Sequence, residues 1–197
     1  MQDNIAIRTF SSPRGCLSHL VFLPGSREAI LIDPSVEVEG YLEFLRNENL
    51  RLRYIVETHT HADHISAARM LKGETEATIL MHELAPSRHK DRALKDGDII
   101  ELEGVTCKIH YTHGHTDDSI SIQCGNSMFT CDTLLIGSTG RTDFQGGSSA
   151  DLYDSLWNVL LPLGDDTEFY PAHNYRGMVS SMFGMEKETN PRLQLPR

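Results

Sequence analysis

Thr58-His59-Thr60-His61-Ala62-Asp63-His64 places three imidazoles and a carboxylate within six positions. The run lies between an apolar stretch at Tyr54, Ile55 and Val56 and a helix-like one from Ile65 to Leu71. Side chains at i and i+2 on extended backbone point to the same side, so His59 and His61 can converge on one ion. Asp63 and His64 then sit at the turn into the helix and face the same cleft from another angle. Neutral imidazole and carboxylate suit divalent transition metals. A lone loop histidine is usually just solvated, whereas four donors at this spacing read as a metal site.

Working outward, each further candidate donor closes an apolar, extended segment. Thr112-His113-Gly114-His115-Thr116 puts His115 on a glycine-preceded loop after one such segment. Phe129-Thr130-Cys131-Asp132-Thr133 ends another with a carboxylate, and Tyr170-Pro171-Ala172-His173-Asn174-Tyr175 ends the last with an imidazole. Strand ends and their loops are where open sites form on a sheet scaffold.

The rest of the chain reads as alternating β and α elements. Extended segments are expected at 5–10, 19–23, 29–32, 53–57, 77–81, 99–102, 105–111, 119–123, 127–130 and 168–170, with turns at Asp96-Gly97 and Gly125-Asn126. Val38, Tyr41, Leu42 and Leu45 form a helical stripe that would face a sheet, and Leu152, Leu156, Val159 and Leu160 form a second. Ser148 and Asp151 approximate a capping box before the second, with Asp where Glu is usual. Tyr153 and Trp157 lie on or near that stripe, Trp157 as a core aromatic. Short strands with helices between them predict an α/β fold of two packed sheets covered by helices. No repeat or linker divides the chain, and residues 1–197 are read as one domain.

The chain has 197 residues, 39% of them hydrophobic, and a formal charge of −10. An acidic balance of this size argues against nucleic acid or an anionic membrane as partner and favours a small molecule. Met1 to Phe10 carries Asp3 and lacks an apolar h-region, and no apolar run approaches the roughly 18 residues of a spanning helix. The reading is therefore soluble and unsecreted. Cys16, Cys107, Cys124 and Cys131 show no CxxC spacing, which suits a reducing compartment with free thiols. A cytoplasmic location is expected, or a mitochondrial matrix-type one if a leader was removed.

His59, His61, Asp63, His64, His115, Asp132 and His173 together resemble the metal-binding set of the metallo-β-lactamase-fold superfamily, and Ile32-Asp33-Pro34 looks like its first strand-end aspartate. The resemblance covers nearly the whole chain and implies an αββα sandwich, two packed mixed sheets flanked by helices. Ligand types alone leave two branches open. Glyoxalase II enzymes hydrolyse S-acylglutathione thioesters with two metals held by all seven residues. Persulfide dioxygenases keep the same residues yet bind a single iron. Gly140-Arg141-Thr142-Asp143-Phe144-Gln145 looks like the persulfide dioxygenase signature, as does Asn190-Pro191-Arg192-Leu193. Only 24 residues follow His173, too few for the helical glutathione-holding domain of glyoxalase II.

That resemblance implies one Fe(II) per chain held by His59, His115 and Asp132, with two Zn(II) as the alternative cofactor. It implies oxidation of glutathione persulfide, or a similar low-molecular-weight persulfide, by O2 to sulfite and thiol. His61, Asp63, His64 and His173 become residues that orient ligands or water, Tyr175 a hydroxyl near the open metal positions, and Arg141 and Tyr153 substrate contacts. For Arg141 an ion pair with Asp143 is an equal alternative. Here His113 stands where the pattern has proline, Cys131 where it has glycine, and Asn174 where it has aspartate. Cys131 adds a thiol beside the site, a possible redox modulator. The alternative functions are a dinuclear thioester hydrolase of the glyoxalase II type and a non-enzymatic metal- or redox-sensing module. A homodimer is a possible assembly.

Overall fold

The computed structural model describes residues 5–35, 37–60, 66–143, 146–173 and 177–194. Two six-stranded mixed sheets dominate these residues. The first has the order β1(Ala6–Ser11), β2(Leu17–Phe22), β3(Glu28–Ile32), β4(Arg51–Glu57), β5(Thr78–His82), β6(Arg92–Leu94). Its β1, β2 and β3 form an antiparallel meander, whereas β3 to β6 run parallel. The central parallel strands read as continuous apolar runs because both their faces are covered.

The second sheet contains β7(Ile99–Leu102), β8(Val105–Tyr111), β9(Ile120–Cys124), β10(Ser127–Cys131), β13(Glu168–Pro171) and β14(Ser181–Met182), with β10 and β13 parallel. A small hairpin, β11(Leu134–Leu135) with β12(Ser138–Thr139), follows β10. Val21, Ile30, Val56 and Leu80 of one sheet meet Ile109, Ile120, Ile122 and Phe129 of the other in a fully buried core. Burial of such aliphatic side chains contributes about 1.5–3 kcal/mol each before chain entropy is counted.

Helices close both outer faces. α1(Val38–Asn47) and α2(Ala68–Thr75) pack on the first sheet, through Tyr41, Leu45, Ala68 and Leu71. On the second sheet lie α3(Ser149–Asp154), its continuation as a π-helical turn Ser155–Leu160, the 3-10 turn Leu161–Leu163, and α4(Phe183–Thr189). Ser148 caps α3 as expected: its hydroxyl accepts from the Asp151 amide at 3.3 Å. The layers are thus helix, sheet, sheet, helix.

Most strand expectations agree to within two residues. β6, β11, β12, β14 and α4 were not legible: the strands span two or three residues and have no period to read. The expectation of free thiols holds for Cys16 and Cys131 alone. Cys107 and Cys124 form a disulfide, because the β8–β9 register makes them direct partners with Cα atoms 4.4 Å apart. That register joins residues too far apart in sequence for a CxxC-type pattern to reveal it. No helix among the described residues is long and apolar enough to cross a membrane.

One polar tie joins the two sheets beneath the candidate site. His19 on β2 donates from Nε2 to the Pro171 carbonyl on β13 at 2.9 Å, while its Nδ1 accepts from the Thr9 hydroxyl at 3.0 Å. Burial lowers its pKa from 6.5 to about 4, against the opposing pull of the Pro171 carbonyl and of Asp33. The folded state therefore requires neutral His19. Its contribution is complete above pH 6.5 and is lost as pH falls towards 4, up to about 3 kcal/mol in all. We expect the urea midpoint to drop between pH 7 and pH 4.5, and to drop less in His19→Gln; equal drops in both proteins would exclude His19 as the cause.

Candidate metal centre

The site is organised from the end of β3. Asp33 adopts φ 49°, a left-handed conformation that costs a non-glycine residue about 1 kcal/mol or more. Its buried carboxylate accepts from the Thr58 amide at 2.7 Å and from the Thr58 hydroxyl at 2.6 Å, so it fixes the end of the neighbouring strand β4. Around it, Ser18 donates to the Asp33 carbonyl and Tyr41 donates to Ser18, which ties α1 to the same corner. Because the Thr58 hydroxyl proton is directed at Asp33, its oxygen is left to accept from His59 Nδ1, 3.1 Å away. His59 then presents Nε2 as a lone pair.

His115 is set in the same sense. Its Nδ1 is 2.9 Å from the Arg141 carbonyl, an acceptor only, so Nδ1 carries the proton and Nε2 carries the lone pair. Asp132 follows Cys131, which ends β10 at φ 54° where the register with β13 shifts. The kink turns the carboxylate towards both imidazoles: Asp132 Oδ2 is 3.5 Å from His115 Nε2 and 4.0 Å from His59 Nε2. All three side chains are buried, and their donor atoms lie within 4.8 Å of one another. Two imidazole nitrogens and one carboxylate oxygen converging at this distance make a His/His/Asp metal site.

His173 is brought to this centre but is turned differently. Its Nδ1 donates to the other oxygen of Asp132, Oδ1, at 2.6 Å. It thus orients the carboxylate. His61, Asp63, His64 and Tyr175 lie outside the described residues, as do Phe144 and Gln145 of the signature run. Cys131 is buried with Sγ 2.9 Å from His59 Nδ1. Burial, then the charges of Asp132 and Asp33, push its thiol well above the usual range, which keeps it protonated.

Asp118 belongs to the site and was not anticipated. Its buried carboxylate accepts from Thr60 at 2.5 Å and from Thr116 at 2.6 Å, clamping the segment after His59 to the segment after His115. The only hint in the sequence is the cluster Thr116-Asp117-Asp118-Ser119 directly after the histidine.

His59 lines a small cavity of about 220 Å³ with Glu57, Thr60 and Ser66. A separate one of about 510 Å³, lined by Gly140, Arg141, Tyr153, Trp157 and Arg192 among others, reaches the centre only through Gly140 and the Arg141 backbone. Arg141 makes a bidentate pair with Asp143, at 2.7 and 2.9 Å, on the exposed rim. Asn190 is buried and donates to the carbonyls of Leu135 and Ser138 and to Glu186, which itself accepts from the Gly137 amide. The Asn190-Pro191-Arg192-Leu193 run is therefore the brace of the β11–β12 hairpin that leads into Gly140. A larger hollow, about 1010 Å³, lies where β4 begins and contains none of the donors.

The chain belongs to the metallo-beta-lactamase superfamily, whose family model matches residues 12–173. Within that class its relatives include both branches, with the persulfide dioxygenases covering more of the chain. Persulfide dioxygenase ETHE1 of Homo sapiens, mitochondrial by name, is 35% identical over 97% of this chain and 77% of its own length. The crystal structure of ETHE1 from Myxococcus xanthus superposes with a TM-score of 0.91 at 35% identity, covering 98% of this chain and 92% of that one. A hydroxyacylglutathione hydrolase, GloC of Haemophilus influenzae, is 31% identical over 84% of this chain and 87% of its own. The chain is an enzyme of the persulfide dioxygenase type.

Gly140 tests how closely the centre is packed. A Cβ at this position would stand 2.0 Å from the Asp132 carbonyl oxygen and 2.9 Å from His115 Nδ1. Gly140→Ala is expected to displace both donors and weaken metal retention about tenfold or more, measured as bound metal after dialysis against a chelator. Retention equal to wild type would show that the segment shifts freely.

Proposed function

We propose that the chain binds one Fe(II) through His59, His115 and Asp132 and oxidises glutathione persulfide, or a similar low-molecular-weight persulfide, with O2. The observation that carries this reading is the hydrogen bond from His173 to Asp132 Oδ1. Among the described residues the donors that converge are then His59, His115 and Asp132, a two-imidazole, one-carboxylate set that suits a mononuclear iron with open positions. When bound, the iron supplies those open positions and the path for electrons between sulfur and oxygen.

The protein side of the reaction is orientation. His115 and His59 are held as the tautomers that offer Nε2, and His173 keeps Asp132 turned towards them. Tyr153, Trp157 and Arg192 line the cavity assigned to the thiol carrier, with Arg141 held at its rim by Asp143. The net reaction balances with one water: persulfide, O2 and water give thiol, sulfite and two protons. The outer sulfur is oxidised, O2 is reduced, and the sulfur–sulfur bond breaks with the thiol as leaving group. The assigned compartment is the cytoplasm or a mitochondrial matrix-type one. There the Cys107–Cys124 disulfide is out of reach of solvent thiols, since both residues are fully buried.

Oxygen uptake with glutathione persulfide and metal analysis of the purified protein test the proposal together. One iron per chain and persulfide-dependent uptake are expected. Two zincs per chain with hydrolysis of S-lactoylglutathione would instead favour the thioester hydrolase. Alanine at His59, His115 or Asp132 should abolish iron retention, whereas His173→Ala should keep iron and lose turnover. Equal metal loss at all four positions would overturn the single-iron assignment.

A further inference from the structure

His113 is adjacent to the glycine that precedes His115, and its ring is the last of a column of three. His82, at the end of β5 in the first sheet, stacks on Tyr111 at the end of β8 in the second, with centroids 4.4 Å apart and planes 12° apart. Tyr111 stacks in turn on His113, at 4.3 Å and 8°. Two sheets and a metal-site loop are thereby joined through ring faces.

The polar edges of these rings do little of the holding. Nδ1 of His82 and Nδ1 of His113 are both buried and have no hydrogen-bond partner among the described residues. Asp151 Oδ2 is 3.8 Å from His113 Nε2, too long for a hydrogen bond. What restrains the residue is the stack on one side and, on its backbone, the Ser155 hydroxyl donating to the His113 carbonyl at 2.7 Å.

The loop itself is closely packed. Gly114 has φ 125°, a conformation open to glycine, and a Cβ there would stand 2.2 Å from the Leu152 amide nitrogen. The Gly114 amide donates to the Thr116 carbonyl at 3.0 Å and its carbonyl accepts from the Ser148 amide at 2.8 Å, and the His113 ring adds a side-chain contact beside these two backbone bonds. Tyr111 is itself anchored, donating its hydroxyl to the Asp117 carbonyl at 2.7 Å on the far side of the same loop.

We propose that His113 is a positioning residue: its ring, packed on Tyr111 and through it on His82, holds Gly114 and His115 in the place where His115 Nε2 faces Asp132. The proposal rests on the metal-site reading above. Stacking selects for a flat ring, and any planar aromatic side chain would meet that need. An amide of similar reach towards Asp151 would not.

The test is anaerobic Fe(II) binding to the metal-free protein, with a chromogenic chelator as competitor. His113→Ala is expected to weaken Fe(II) binding about tenfold or more, the scale on which ligand-orienting partners act. His113→Phe is expected to restore most of it, and His113→Asn is not. Tyr111→Leu should reproduce the loss, and the double variant with His113→Ala should be no worse than either alone. Rescue by Asn and not by Phe, additive losses, or wild-type affinity in His113→Ala would each overturn the proposal. The Phe and Asn variants decide it even if His113→Ala folds poorly. A wild-type chain that binds no Fe(II) would overturn the iron reading as well, whereas binding that is indifferent to His113 would overturn only this one.

Discussion

The buried carboxylate of Asp33 is the constraint on which the site depends. It accepts two hydrogen bonds from Thr58, one from the amide and one from the hydroxyl, across the parallel pair β3–β4. A buried carboxylate is tolerable only when it is satisfied in this way. The second bond has a further effect, since it directs the threonine proton away from His59 and so decides which imidazole nitrogen faces the site. One interaction thus closes a strand end, compensates a buried charge and sets a tautomer. The left-handed backbone of Asp33 is a local cost accepted for that geometry.

The second sheet solves the same problem by a different route. At the end of β10 the register shift and left-handed backbone of Cys131 turn Asp132 inwards, and His173 from the next strand end holds its outer oxygen. The Arg141 carbonyl, brought round by the hairpin that Asn190 and Glu186 brace, then orients His115. The run Gly140-Arg141-Thr142-Asp143 therefore acts on the centre mainly through its backbone. Gly140 allows the close approach, the Arg141 carbonyl fixes a ring, and the Arg141 guanidinium is paired with Asp143 at the surface.

Much of this was legible in the residues. The long strands, the amphipathic stripe of α1 and the cap of α3 follow from periodicity and local chemistry, and the donors at strand ends follow from their regular placement after apolar segments. The two-residue strands, the Cys107–Cys124 pairing and the clamp by Asp118 were not, because each depends on a register between segments distant along the chain. His113 is instructive in the same way. In the sequence it reads only as a histidine where the family pattern has proline, while in space its imidazole stacks on Tyr111 and supplies a restraint of another kind than the fixed φ of a pyrrolidine ring.

The division of donors between the sheets also has a kinetic meaning. The β8–β9–β10 meander is made of neighbouring hairpins and can form early, since each closes a short loop. β3 and β4 are parallel and joined through α1, and β13 reaches β10 only after the whole α3 region has been laid down. His115 and Asp132 are thus delivered by one module and His59 by another, with His173 arriving on the last long-range pairing. The centre is complete only when these late contacts exist, so a nascent or partly folded chain carries its donors apart. Acquisition of the metal then becomes a report that the two halves of the sandwich have met.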